Sequence, residues 1–484
     1  MKLKALFILE EKEWRKNTLH SMEESKNNSS SFFVTPWNGV MEETMEQVCI
    51  LKTFRKYVTL NVLGMIGLSC YILADTYFVS KGLGTNGLAS LNLAISIYSF
   101  VHGLGLMIGI GGATKYAILK AKQEHEEANK IFSTSINLGI IIGILITLIG
   151  IFLSEPLSRI LGANEHTFAM TNTYLKTILS FAPFFILNNV LIAFVRNDGD
   201  PKLSMAGMLI GSFSNVILDY IFIFPLNMGM FGAAFATGLA PIISLCILSL
   251  HFIKNNNNFS YKKIRISIKR IFSICSLGTS SLITEISSGI VLIIFNIVIL
   301  KLEGNTGVAA YGIVANLSLV SASIFTGIAQ GIQPLISSFY GNKNVISIKK
   351  IFRYAIVLSL IIAVCLYIIV FVFSNQLVSI FNSENNELLR ELAVKGLRLY
   401  FIGFLFAGIN IITASFFSSI EQAKLGFVIS IVRSVVAIIP VVLALSSIFG
   451  INGVWTSFPC AELISFVIVA VCLKKHNEKI KKCI

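Results

Sequence analysis

The sequence predicts an all-α integral membrane protein with twelve transmembrane helices arranged as two parallel bundles of six. The first observation is composition, since hydrophobic residues make up 55% of the 484 positions and charged residues only 13%, a balance outside that of soluble domains. The second is a series of long apolar stretches, and the third is an internal repeat. Helices are expected rather than a β-barrel because barrel strands are shorter and alternate in polarity.

The apolar stretches are each long enough to cross a hydrocarbon core of about 30 Å, which takes about 20 helical residues. The first six lie near 57–80, 88–113, 131–153, 170–195, 203–226 and 231–253. The second six lie near 271–300, 308–335, 352–374, 393–418, 424–447 and 451–473.

The distribution of Lys and Arg predicts the orientation. One set of helix ends carries most of these residues, while the opposite loops hold little beyond Lys81, Arg159, Lys301 and Arg390. Positive residues accumulate in cytoplasmic loops, so we expect a multi-pass protein of the cell membrane with both termini in the cytoplasm. The net charge of +14 is then explained by the basic residues of the cytoplasmic loops. No nucleic-acid partner is expected because the basic residues form no single face.

The chain matches itself at a spacing of about 221 residues. GTNGLASLNLA at 84–94 pairs with GNTGVAAYGIV at 304–314, and AFVRNDGDPKL at 193–203 pairs with SFFSSIEQAKL at 415–425. Six spans per half place both halves in the same orientation, which suits alternating access between two bundles. We therefore predict a disordered polar tail at 1–51, lobes at 52–253 and 271–473, a basic cytoplasmic linker at 254–270 and a basic tail at 474–484.

Two carboxylates interrupt the apolar runs of the first half. Asp75 and Asp219 lie within predicted spans, where a charge at the bilayer centre costs about 2.5–3.5 kcal/mol or more. Asn215 lies one helical turn before Asp219, and Thr237 follows on the next span. These oxygen-bearing side chains predict a site for a cation or a proton. The alternative is that the two acids only bridge helices through hydrogen bonds.

Weaker polar positions lie in both halves. Gln330 and Gln333 are three residues apart and are expected to line a cavity of the second half or to bond between helices. Asn188 and Asn410 occupy equivalent repeat positions, which favours packing or a hinge before substrate contact. Arg433 and Glu462 are expected to pair or to snorkel. The glycines between Gly103 and Gly112 predict close helix contacts.

Motifs for catalysis are absent from the sequence. It contains neither GxxxxGK[ST] nor HExxH, so ATP-driven pumping and zinc chemistry within this chain are not expected. The prediction is a secondary transporter without a cofactor, driven by an ion gradient.

Several segments together resemble the multidrug and toxic compound extrusion (MATE) transporters, of the MOP superfamily, and their DinF-like or MepA-like branch. They are the first-span stretch LADTYFV at 73–79, the RNDGDP turn at 196–201, the helix with Asn215 and Asp219, the segment from Gly232 to Thr237, and Arg433 followed by Ile-Ile-Pro at 438–440. The resemblance covers residues 52–473.

The resemblance implies a coupling site for Na⁺ or H⁺ at Asp75, Asn215, Asp219 and Thr237. It also implies that Glu285 contacts substrate or a second cation, and we place Gln330, Gln333 and Asn188 in the same group of candidates. An acid that a related branch carries in its tenth span is absent from 393–418, which favours coupling in the amino-terminal lobe.

The function implied by the resemblance is antiport, in which Na⁺ or H⁺ entry drives export of amphipathic organic cations such as dyes, quaternary ammonium compounds and fluoroquinolones. The other partner is membrane lipid, and a monomer is expected. The alternative is a flippase for lipid-linked oligosaccharides or other lipids of the same superfamily, which would need a cavity lined with Arg and Lys. The charges within the spans are predominantly acidic, which favours the exporter.

Overall fold

The computed structural model describes residues 37–253, 257–265, 267–382 and 386–483, and these contain helices and no strand. Of the polar tail predicted at 1–51, residues 1–36 lie outside the described residues, and residues 37–51 are helical. The chain divides after Leu51 into two compact units, and the contacts and cavities described below lie in the second.

Six helices cover the amino-terminal half. They are α1 (Trp37–Ala121), α2 (His125–Ile160), α3 (Phe168–Ser180), α4 (Ala182–Asn197), α5 (Pro201–Ile223) and α6 (Gly229–Ile253).

Seven helices cover the carboxy-terminal half. They are α7 (Ile268–Gly341), α8 (Val345–Ser379), α9 (Glu387–Tyr400), α10 (Phe404–Ser419), α11 (Ala423–Ile431), α12 (Ile438–Phe449) and α13 (Ile451–Cys483), with a 3₁₀ turn at Phe401–Gly403 and a π-helical turn at Val432–Val436.

The two longest helices each reverse at one glycine. Gly84 in α1 and Gly304 in α7 have φ of +66° and +62°, a region that L side chains rarely adopt. Tyr71, 13 residues before Gly84, shares a 2.8 Å hydroxyl hydrogen bond with Tyr98, 14 residues after it. The rings of Phe295 and Tyr311, on either side of Gly304, stack at 5.3 Å. Each long helix is therefore a hairpin of two spans.

These hairpins account for the predicted number of spans. Nine helices of the described chain are long and apolar enough to cross a membrane, or ten when α3 and α4, bent by 50°, form one span. The two hairpins each add one crossing, so ten plus two gives twelve. The predicted all-α fold with twelve spans is confirmed, although the helices run further than the apolar stretches, as in α8 at Val345–Ser379.

The predicted linker at 254–270 includes a segment that is held against the first half. The Ser260 N–H donates to Asn129 Oδ1 at 2.8 Å, and the Lys262 N–H donates to Ser133 Oγ at 2.9 Å. Phe259 is buried and packs on Phe132 with ring centroids 4.4 Å apart. Residues 257–262 are thus anchored to the first lobe, so the part of the predicted linker that is not anchored is shorter than 254–270. Residues 254–256 and 266 lie outside the described chain.

Close helix contacts join the two halves. A Cβ on Gly111 of α1 would overlap the Ile274 carbonyl oxygen, and a Cβ on Gly278 of α7 would overlap the Met107 carbonyl oxygen. Only glycine allows the two backbones to approach this closely. The contact predicted for the glycines of 103–112 is therefore present, and it joins the lobes.

Candidate functional site

Asp75 of α1 and Asp219 of α5 meet in the interior of the amino-terminal lobe. Both residues are buried, and their carboxyl groups are within side-chain hydrogen-bonding contact of each other. Two carboxyl groups this close do not both stay ionised without a proton or a cation between them. The pair is thus suited to binding a positive charge.

Asn215 and Thr237 complete this cluster. When the Asn215 amide is oriented to suit its neighbours, its nitrogen donates to Asp219 Oδ2 at 3.0 Å and its oxygen accepts from the Thr237 N–H at 3.2 Å. Both residues are buried. The structure brings together the four residues that the sequence proposed as a coupling site, from spans separated by up to 162 positions (237 − 75).

Two oxygens of the cluster lack partners. Asp75 Oδ1 and Asp219 Oδ1 are buried and have no hydrogen bond to any described residue. Leaving such an acceptor unsatisfied costs about 1–3 kcal/mol, more for a charged group. A proton or a hard cation such as Na⁺ would satisfy both oxygens, so the donor set fits either ion.

Tyr174 of α3 is a member of the cluster that sequence reasoning missed. It is buried, its hydroxyl contacts Thr237, and it lies close enough to Asp75 and Asp219 to interact with their charge. A tyrosine in an apolar span is indistinguishable from core packing by sequence pattern. Its position follows from the bent pair of α3 and α4.

Two cavities lie between the lobes. The amino-lobe cavity has a volume of about 80 Å³, and its lining includes Tyr71, Tyr98, His102, Phe185, Asn188, Asn189, Arg196, Ser212, Thr237, Pro241, Glu285 and Gln330. The carboxy-lobe cavity, of about 90 Å³, is lined by residues that include Arg196, Ser280, Thr284, Glu285, Gln330, Gln333, Asn410, Ser430 and Arg433. Thr237 links the acidic cluster to the first cavity.

The four residues predicted to contact substrate or a second cation all line these cavities. Glu285 and Gln330 border both, Gln333 borders the carboxy-lobe cavity, and Asn188 borders the amino-lobe cavity. Glu285 Oε2 lies 3.5 Å from His102 Nδ1, which joins α7 to α1. Asn188 and Asn410, equivalent in the repeat, thus line one cavity each. Substrate contact by Glu285, Gln330, Gln333 and Asn188 stays a prediction.

Arg196 is a second residue that the sequence argument left out of the site. Its side chain is 1% exposed, and its Nη1 donates to Asn61 Oδ1 at 2.7 Å and to Gln330 Oε1 at 2.8 Å. No carboxylate of the described residues forms an ion pair with it. The arginine of the RNDGDP turn therefore places a positive charge at the junction of both cavities.

Arg433 and Glu462 form the pair that the sequence suggested. Arg433 Nε donates to Glu462 Oε1 at 2.7 Å, and Asn410 Nδ2 donates to Glu462 Oε2 at 2.7 Å. Glu462 is buried, while Arg433 lines the carboxy-lobe cavity. The charged residues that line this cavity are thus Arg196, Arg433 and Glu285, and Glu462 is not among the lining residues.

A buried carboxylate at the basic helix ends was also missed. Asp198, in the turn after α4, accepts hydrogen bonds from Tyr116 Oη at 2.6 Å, Lys120 Nζ at 2.6 Å and the Asn258 N–H at 2.7 Å, and it pairs with His251 Nε2 at 2.9 Å. Burial alone would raise the pKa of Asp198, but these partners outweigh it and lower the pKa to about 2.

The lobes are also joined by polar contacts at the basic helix ends. Lys115 Nζ lies 2.5 Å from Glu421 Oε1. Gln333 Nε2 donates to Thr114 Oγ1 at 2.9 Å, and Asn197 Nδ2 donates to Gln333 Oε1 at 3.0 Å. Both cavities are thus closed off at that end of the molecule.

The sequence model of the MatE family matches residues 62–221 and 281–443. The chain belongs to the MatE family. The two matched ranges fall one in each half of the internal repeat, and they include Asp75, Asn215, Asp219, Glu285 and Arg433.

Curated relatives and solved structures agree with MatE membership. The chain is 28% identical to multidrug export protein MepA of Staphylococcus saprophyticus over 423 residues, covering 87% of this chain and 92% of that protein. It is 28% identical over 422 residues to MepA of Staphylococcus aureus, strain MRSA252, covering 86% and 92%.

Two solved structures share the fold with a TM-score of 0.84 at 23% identity. One is a MATE in complex with MaL6, covering 89% of this chain and 97% of that one. The other is an outward-facing multidrug resistance MATE family transporter of the MOP superfamily, covering 89% and 96%. The resemblance drawn from sequence is confirmed, and the chain is a multi-pass membrane protein of the MatE family.

Proposed function

We propose that this protein is a secondary multidrug exporter that couples entry of Na⁺ or H⁺ to export of amphipathic organic cations. The observation that carries the proposal is the acidic cluster with two unsatisfied carboxylate oxygens beside a cavity lined by aromatic and polar side chains. The names of the MepA relatives, multidrug export proteins, support the substrate class.

The acidic cluster would hold the coupling ion. Na⁺ would take oxygens of Asp75, Asp219, Asn215 and Thr237, a donor set of the kind that hard cations prefer. A proton would be shared by the two carboxyl groups. In both cases the ion neutralises the pair, which weakens the attraction of the amino-lobe cavity for a cationic drug. Ion and drug would therefore compete for this lobe.

The aromatic lining would bind the drug. Tyr71, Tyr98 and Phe185 face the amino-lobe cavity, and their ring faces attract cations at about 0.5–2 kcal/mol per contact. Glu285 supplies a negative charge at the border with the second cavity. A bulky planar cation fits a cavity with this lining.

Alternating access would open and close the contacts at the basic ends. The excess of Lys and Arg assigns those ends, and both termini, to the cytoplasm. Lys115–Glu421 and the Gln333 bonds would then form a cytoplasmic closure, and rearrangement of one lobe against the other would break it and expose the cavities to the cytoplasm. The protein would act as a monomer in the cell membrane, without a cofactor.

The test is ethidium efflux from proteoliposomes under separately imposed Na⁺ and H⁺ gradients. Wild type is expected to export the dye under one of them, and Asp75→Asn and Asp219→Asn are each expected to lose on the order of tenfold or more of the rate. Glu165→Gln, an exposed acid outside both cavities, is the matched control. Efflux that ignores both gradients, or that survives in both variants, would refute the coupling site.

A lipid flippase remains the second candidate because Arg196 and Arg433 line the carboxy-lobe cavity. Positive charges of this kind would bind a lipid phosphate. The matching assay measures transfer of a fluorescent anionic lipid between leaflets of the same proteoliposomes. Lipid transfer without dye export would favour the flippase.

A further inference from the structure

The lining of the carboxy-lobe cavity has an unusual charge pattern for a site that receives cations only. Its charged residues are two arginines, Arg196 and Arg433, and one acid, Glu285. The remaining polar lining consists of Ser, Thr, Asn and Gln, which bond equally well to anions and to neutral groups. The cavity therefore offers an anionic group at least as favourable an environment as a cation.

Arg433 is held so that part of its guanidinium stays available. Its Nε is bonded to Glu462 Oε1 at 2.7 Å, and the side chain is 15% exposed where it lines the cavity. Among the described residues, its Nη1 and Nη2 have no hydrogen-bond acceptor. Glu462 is itself fixed by Asn410, whose Nδ2 donates to both its side chain and its carbonyl oxygen at 2.7 and 2.9 Å. The ion pair thus orients the guanidinium while leaving donors free.

The backbone at Arg433 is specialised. The residue belongs to the π-helical turn Val432–Val436 between α11 and α12. Such turns are uncommon and concentrate at functional sites. Because an extra residue is accommodated in this turn, the side chain is turned relative to a regular helix.

Arg196 adds a second positive charge. It is buried, it has no carboxylate partner among the described residues, and its Nε has no hydrogen bond there. A guanidinium is charged at any physiological pH. Burying one without a counter-ion is costly, so an anionic ligand at this cavity would relieve that cost.

The two lobes differ at equivalent positions. Arg433 falls opposite Gly211 or Ser212 and Glu462 opposite Pro241, at spacings of 221 or 222 residues. Gly211, Ser212 and Pro241 line the amino-lobe cavity and carry no charge. The Arg433–Glu462 pair is therefore a feature of the second lobe alone, while the paired acids belong to the first.

We propose that the carboxy-lobe cavity is a subsite for the carboxylate of zwitterionic substrates. Arg433 binds the carboxylate through its free amino groups, Arg196 contributes a second positive charge, and Glu285, at the border of both cavities, takes the basic nitrogen. The inference rests on the proposed function and names a substrate class for the same site. A carboxylate matches a guanidinium fork, and a nearby acid disfavours ligands that carry only negative charge.

The experiment compares binding of norfloxacin, which carries a basic amine and a carboxylate, with binding of its methyl ester to the purified full-length protein. The two ligands differ only at the carboxyl group, which is anionic in the acid and an uncharged methyl ester in the other ligand. For wild type, the acid is expected to bind roughly tenfold or more tightly than the ester, the usual value of a charge-assisted hydrogen bond. Fluorescence titration of the quinolone measures both affinities.

The informative variant is Arg433→Gln combined with Glu462→Gln, because removing the arginine alone would strand a buried carboxylate. The pair variant is expected to lose the preference for the acid while binding the ester within about twofold of wild type. Arg433→Lys retains charge without the planar fork and is expected to keep part of the preference. Arg398→Gln, an arginine of the same lobe outside both cavities, is the control.

Equal affinity of wild type for acid and ester, or a preference for the acid that survives the pair variant, would overturn the subsite. Equal weakening of both ligands in the pair variant would overturn it too, since that result reports general damage to the cavity. Ethidium efflux is measured on the same preparations. If the dye is exported but the protein does not bind norfloxacin more tightly than its ester, only the carboxylate subsite is refuted. If norfloxacin is preferred but no dye is exported, the proposed export function is refuted and the subsite stands.

Discussion

At the scale of single residues, the site is built from buried polar groups whose partners come from distant segments. Asp219 accepts from Asn215 on its own helix and meets Asp75 from α1, while Asn215 accepts from the Thr237 N–H of α6. Tyr174, from α3, completes the cluster. Under the proposed coupling, the two unsatisfied oxygens are the groups that would hold the positive charge of the ion.

The Tyr174 hydroxyl provides a first test at this scale. Tyr174→Phe removes a group that contacts Thr237 and approaches both carboxyl groups, while the ring still fills its place in the core. We expect the ion concentration for half-maximal dye efflux to rise about threefold to tenfold, the usual effect of deleting one hydrogen bond. Tyr311→Phe, a buried tyrosine of the other lobe, should leave that concentration unchanged. The same shift in both variants would contradict a role for Tyr174 at the cluster.

Asp198 provides a test of stability. Its pKa is lowered from the ordinary 3.8 to about 2, so the ionised form stabilises the fold above about pH 4, and this contribution is lost as the pH falls from about 4 to about 2. The lowered pKa corresponds to about 2 kcal/mol. Wild type should lose this much stability over that range, measured by unfolding in detergent at several pH values. Asp198→Asn should be less stable at pH 7 and lack that loss, and an unchanged pH profile would contradict this assignment.

At the scale of elements, the hairpins at Gly84 and Gly304 turn two very long helices into four spans. At about 1.5 Å per residue, a straight helix as long as α1 would greatly exceed a hydrocarbon core of about 30 Å. The reversal depends on a positive φ in both cases. Because the two glycines are equivalent in the repeat, the same reversal at a glycine occurs in both lobes.

Substitution at Gly304 tests whether the reversal requires glycine. A Cβ there would meet no atom within 4 Å, so Gly304→Ala changes only the backbone preference. We expect a loss of about 1–3 kcal/mol, the cost of holding such a conformation without glycine. Gly312→Ala, a helical glycine of α7 with equally open space, should be neutral or stabilising by up to about 1 kcal/mol. Thermal unfolding in detergent distinguishes them, and equal effects would show that φ at Gly304 is unimportant.

At the scale of the whole molecule, the lobes meet at the basic helix ends and separate around the two cavities. Gly111 and Gly278 allow the backbones to touch, and the Lys115–Glu421 pair lies at the same end. A transporter that exposes the cavities on this side must break these contacts. Under the proposed alternating access, these contacts would close one of the two states.

Cross-linking tests the closure directly. Cysteines at Lys115 and Glu421, in a chain without its native cysteines, are expected to cross-link with a short reagent because the charged groups they replace lie 2.5 Å apart. Cross-linked protein should lose dye efflux and regain it after cleavage of the reagent. Cysteines at Lys130 and Glu126, which pair within α2, are the control and should cross-link without loss. Full efflux with Lys115 and Glu421 joined would rule out opening at this end.

The sequence by itself determined the class, the number of spans, the repeat and the four residues of the acidic cluster, because lipid requires long apolar helices and makes an isolated charge conspicuous. Tertiary structure decided which spans bend, how residues 257–262 are held, and which polar side chains face a cavity. Arg196 and Asp198 entered the sequence argument only as part of the RNDGDP turn, and Tyr174 did not enter it, because arginine at a helix end, aspartate in a turn and tyrosine in an apolar span are ordinary. Their surroundings, supplied by helices far apart in the chain, make them part of the site or its support.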